Sequence, residues 1–95
     1  MSEEAIKRQR REIAEAVFAL FEPFGFDREK LDGNPFDIRI FHARVIEDWE
    51  FRCVPEMTSG DIEVVEKAQR PAHSFKEIAY RPFPSSKKIV CKKIE

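Results

Sequence analysis

Glycine is scarce in this sequence. The three glycines, Gly25, Gly33 and Gly60, stand apart from one another, so no glycine-rich loop is present to cradle a phosphate. Histidine and cysteine are equally sparse. His42 and His73 lie 31 positions apart, and Cys53 and Cys91 occur singly. Without Cys-x-x-Cys or His-x-x-x-His spacing there is no zinc set, and no metal or other cofactor is expected. No apolar run is long enough to cross a membrane. The opening Met-Ser-Glu-Glu lacks the basic start and apolar centre of an export signal. A cytoplasmic chain is therefore expected, with both thiols reduced and buried.

What the sequence does hold is charge and large rings. Charged residues make up 37% of the 95 positions, and nine are Phe. A chain of this length forms one domain with a thin core, which struggles to enclose so many rings. Some of them are expected in a subunit interface, and the candidates are Phe21, Phe24 and Phe26, which end a helix and follow it, together with Trp49. The alternative is that the rings seal the monomer's own core, with Trp49 as its anchor. The net charge of −1 conceals a division: residues 71–95 carry six basic and two acidic side chains, leaving −5 on the rest. That split suits a homodimer in which the acidic middle of one copy faces the basic C-terminal quarter of the other, or another protein partner.

The periodicities predict an α+β domain spanning residues 1–95. Ile6, Ile13, Val17, Leu20 and Phe21 fall on one arc of a helix running from Ser2 or Glu3 to Phe21, with Ser2 as its cap. Asp32-Gly33-Asn34-Pro35 is a turn, and Asp27 to Leu31 reads as a short capped turn. The densest β pattern follows. Phe36, Ile38 and Ile40 alternate with Asp37 and Arg39, then the parity shifts near Phe41-His42, as at a β-bulge. Glu47-Asp48 reads as the turn before a second strand, Trp49 to Val54. Thr58 to Arg70 reads as a helix, with Asp61 at the capping-box position, a stripe of Ile62, Val65 and Ala68 or Gln69, and the pairs Glu63–Lys67 and Glu66–Arg70 before the Pro71 stop. The alternative is a strand, whose alternation Val65 breaks. Phe75 to Phe83 and Lys87 to Ile94 complete a four-stranded, mainly antiparallel sheet with the helices on one face, the last strand guarded by lysines as an edge.

No constellation of side chains specifies a chemistry. Asp37, Glu47, Asp48, Glu50 and His42 are the acid–base candidates, but opposite charges on adjacent strands account for most of them as ion pairs. Two basic groups stand out: Lys7, Arg8, Arg10 and Arg11 on the helix, and Lys87, Lys88, Lys92 and Lys93 on the last strand. Side by side they would form a phosphate-binding patch, although acidic neighbours surround the first and no aromatic residue interleaves with the second. The expected function is a non-enzymatic protein-interaction domain. The alternatives are nucleic-acid binding through those two groups and a small-molecule enzyme with its site at a subunit interface.

Overall fold

The computed structural model describes residues 2–69 and 73–95. Helix α1 (Glu3–Phe21) starts where the Ser2 hydroxyl oxygen accepts a hydrogen bond from the Ala5 amide at 3.2 Å, with Glu3 and Glu4 in the first turn. Ile13, Ala14 and Val17 form its buried face, with Phe18 and Phe21 packed beside them. Leu20, expected in that stripe, lies at the margin of the arc in the last turn and is 60% exposed. A short 3-10 turn over Glu22–Phe24 closes at Gly25, which has φ 85°. A Cβ at Gly25 would stand 3.1 Å from His42 Nε2, so this position needs glycine for its backbone and for the close approach.

Five strands follow in sheet order: β1 (Asp27–Lys30), β2 (Ile38–His42), β3 (Val45–Val54), β4 (Ser74–Tyr80) and β5 (Val90–Ile94). The sheet exceeds the expected four strands because Asp27–Lys30, read as a turn, pairs antiparallel with β2. Asp-Arg-Glu-Lys has no apolar alternation to betray a strand, and such a charged segment survives only at an edge. Helix α2 (Ser59–Lys67) carries the chain from β3 to β4, which run parallel, while the other neighbouring pairs are antiparallel. Its N-terminus is the expected capping box between Thr58 and Asp61, and Lys67 pairs with Glu63 at 2.7 Å. The anticipated Glu66–Arg70 pair and Pro71 stop lie outside the described residues.

The β2–β3 hairpin departs from expectation in an instructive way. Its turn falls at Ala43–Arg44, since His42 pairs with Val45, and Ile40 pairs with Trp49. Between those pairs three residues of β3, 46–48, oppose the single residue Phe41. The break at Glu47-Asp48 is therefore a bulge within β3, not a turn. Phe41 does not join the core facing α1. It keeps the parity of Arg39, whose guanidinium lies 4.6 Å from the Phe41 ring centroid.

The sheet is covered on both faces rather than one. Ile38, Ile40, Phe51, Cys53 and Ala79 pack with α1 in one buried cluster. Val54, Ile78 and Ile94 pack with Val65 of α2 in a second, and strand alternation places the two sets on opposite sides. Phe36 belongs to the second cluster, so it does not share a face with Ile38 and Ile40 as its spacing suggests. It precedes the paired part of β2, and the alternation of that strand does not extend back to it.

Candidate functional site

Ion pairs engage Asp37, Asp48 and Arg10 among the polar residues singled out from sequence. Arg10, half-buried on α1, donates from Nε to the Cys53 carbonyl at 2.9 Å and from Nη2 to the Asp37 carboxylate at 2.8 Å and the Gly33 carbonyl at 3.2 Å. From the opposite layer, Arg52 donates to Asp61 at 2.8 Å and to the carbonyls of Pro35 at 2.8 Å and Gly33 at 3.2 Å. Two arginines thus grip the 31–37 connection from either side of the sheet. The Asn34–Pro35 bond within it is cis. Gly33 has φ 83°, and a Cβ there would stand 3.3 Å from Asp37 Oδ1.

The acid–base candidates are dispersed or already paired. Asp37 also accepts from the Cys53 amide at 2.7 Å. Asp48 was read as a turn residue, but it is buried in β3, pairs with Arg39 at 2.7 Å and accepts from the Ser74 hydroxyl. Burial works against its charge, yet those two donors hold its carboxyl below the usual range. Glu50 is buried on the same face, opposite Arg39 and Lys76. His42 lies at the far end of β2, its ring 5.1 Å from that of Phe26. Among the described residues no three His, Cys, Asp or Glu side chains gather as metal ligands would. No helix is long and apolar enough to cross a membrane.

The thiols differ from each other. Cys53 is buried, and burial raises its pKa, whereas Cys91 is exposed, contrary to the expectation of two buried thiols. Both are free. Cys53 and Cys91 flank Ala79 across β3, β4 and β5. Two strand spacings, roughly 10 Å, exceed the reach of a disulfide.

Three of the four predicted interface residues meet near the end of α1, where they are half-buried against the core cluster on that face of the sheet and serve the monomer's own packing. Phe21, Phe26 and Trp49 pack with ring centroids 5.4 to 5.6 Å apart, and Phe75 stacks on Trp49 at 5.7 Å. Phe24 stands outside this cluster, 73% exposed. Gly25 against His42 brings the end of α1 next to the β2–β3 turn, where Val45 and Ile46 are also exposed. Leu20, Val45, Ile46 and Phe75 were not anticipated in this group. The helix period assigns Leu20 to the core, and the misplaced turn hid that Val45 and Ile46 open β3 with exposed side chains.

The basic residues do not form one patch. Lys93 lies on the α1 face of β5, its Nζ 4.4 Å from the Phe75 ring centroid and opposite Glu77. Strand alternation turns Lys92 to the other face, and Lys87 and Lys88 precede β5. Lys7, Arg10 and Arg11 instead line a cleft of about 290 Å³ between α1 and the β1–β2 connection, at the other sheet edge. Lys30, Leu31 and Asp32 complete its far wall. Arg8 is not among the lining residues. Compared with protein-family models, curated proteins and solved structures, the chain matches none.

Proposed function

We propose that this chain is a non-enzymatic interaction domain whose working surface is the aromatic end, with a second copy of the chain as its partner. The carrying observation is Phe24. A phenyl ring 73% exposed, one residue before the Gly25 that meets His42, is an anchor that a partner surface would cover. Two-fold pairing presents the same patch from both sides and needs no second species. Against a phosphate track, Arg10 is committed to three internal acceptors and the C-terminal lysines are divided between faces. Against an acid–base site, Asp37 and Asp48 are held in ion pairs.

Sedimentation equilibrium of the wild-type chain and of Phe24→Glu tests this. The wild type should approach twice the 11.2 kDa chain mass at micromolar concentration, and the variant should remain at the chain mass. Because Phe24 lies outside both buried clusters, the variant should keep the circular dichroism of the wild type. A wild type that stays monomeric at high micromolar concentration would contradict self-association.

A further inference from the structure

The cleft between α1 and the β1–β2 connection lies along the first half of α1, away from the aromatic end, and has its own chemistry. Four cations line it: Lys7, Arg10 and Arg11 from the helix, and Lys30 from the end of β1. Arg10 is spent on Asp37, Gly33 and Cys53. Lys7, Arg11 and Lys30 are exposed and form no ion pair among the described residues.

The acids that share the cleft have partners of their own. Glu15 pairs with Arg28, and that bond, with the nearby charge of Lys30, holds its carboxyl below the usual range. Asp37 takes Arg10 and the Cys53 amide, and Asp32 accepts the Asn34 amide at 2.9 Å. Ala14, Leu31 and Ile38 supply an apolar lining between the charges. Three cations from two elements, set around an apolar recess, outweigh Asp32, the lining acid for which no ion pair is seen among the described residues, and favour an anionic guest that can also bury a hydrophobic body.

We infer that this cleft binds a small phosphate monoester, its dianion held by Lys7, Arg11 and Lys30 and its organic group set against Ala14, Leu31 and Ile38. The volume of about 290 Å³ is at the lower end of small-ligand sites, which suits one compact molecule. A nucleic-acid backbone would need cations continuing beyond the cleft. The exposed residues that flank these cations on α1 include Glu3, Glu4 and Glu12, and Glu29 precedes Lys30 on β1. Phosphate is favoured over a single carboxylate because three cations converge and Arg11 can grip two oxygens at once.

The test is titration of the isotope-labelled chain with phenyl phosphate, inorganic phosphate, benzoate and a single-stranded oligothymidylate, followed by amide shifts. Phenyl phosphate should give saturable shifts at Leu31, Gly33 and Ile38, with inorganic phosphate and benzoate each at least tenfold weaker. The variant Lys7→Gln/Arg11→Gln/Lys30→Gln alters exposed side chains only and spares the Arg10 clamp. It should fold and lose the saturable shifts. No saturation by phenyl phosphate up to about 10 mM, roughly ten times the Kd of a millimolar site, would overturn the assignment. So would undiminished binding by the triple variant. Tighter binding of the oligothymidylate than of phenyl phosphate at the same residues would overturn the small-molecule guest in favour of a nucleic-acid surface.

Discussion

Asp61→Ala should be among the most damaging single changes outside the apolar core. One carboxylate joins three parts of the fold. It accepts from the Thr58 amide and hydroxyl, each at 2.9 Å, closing the capping box that starts α2, and from Arg52 Nε at 2.8 Å, tying α2 to β3. Loss of the bond from the Thr58 amide, the reciprocal half of the capping box, costs about 1 kcal/mol, while Thr58 itself still caps the helix. Loss of the charge-assisted bond adds about 1.5 kcal/mol. Breaking a fully buried pair costs about 3–5 kcal/mol. The smaller figure applies here, because Arg52 keeps the Gly33 and Pro35 carbonyls.

A total of roughly 2–3 kcal/mol corresponds to a fall in Tm of about 10–20 °C for a domain of this size. Urea denaturation at neutral pH measures it directly. The pH dependence supplies an independent check. Burial of Asp61 opposes its charge, but the Thr58 amide and Arg52 outweigh burial and lower its pKa. The native carboxylate thus binds a proton less readily than the unfolded one. Its contribution is complete above about pH 4 and fades as pH falls through the lower native value. The difference between wild type and Asp61→Ala should shrink on acidification. A loss under about 1 kcal/mol at neutral pH, below the worth of the Thr58 amide bond alone, would refute the reasoning.

Glu77 should show the opposite sign. Burial raises its pKa despite Lys93 opposite it, so the native state holds the proton more tightly and stability falls as pH rises through the native value. Glu77→Gln should therefore raise Tm at neutral pH, with the gain disappearing below about pH 4, and a lower neutral Tm would contradict this. The two thiols should separate under a thiol reagent. Cys91 should react in the native protein, though slowly, because burial and then Glu77 raise its pKa to about 11. Cys53 should react only on unfolding, and equal native rates would contradict the difference in their burial.

The parts of the fold that were legible in the sequence are those with local causes. Ser2 before two glutamates, and Thr58 three residues before Asp61, mark helix starts through hydrogen bonds made within one turn. Ile38, Ile40, Phe51 and Cys53 announce strands because alternation is a property of the strand itself. What escaped depends on distant partners. Asp27–Lys30 becomes a strand only because β2 offers an edge. The parallel β3–β4 pairing depends on which way α2 returns the chain, which no side chain in α2 encodes. Of the cleft, Lys7, Arg10 and Arg11 were visible as a charge run. Arg10 differs from its neighbours only because the Cys53 and Gly33 carbonyls and Asp37 lie within its reach, and Lys30 joins the group only when β1 pairs.

The most direct test of the aromatic end as a binding surface is an isotope-filtered NOE measurement on an equal mixture of labelled and unlabelled chain. Cross-copy NOEs should join the Phe24 ring to the methyl groups of Leu20, Val45 or Ile46, and should vanish in Phe24→Glu. Cross-copy NOEs confined to other surfaces, or none at a concentration where sedimentation shows a dimer, would contradict the account.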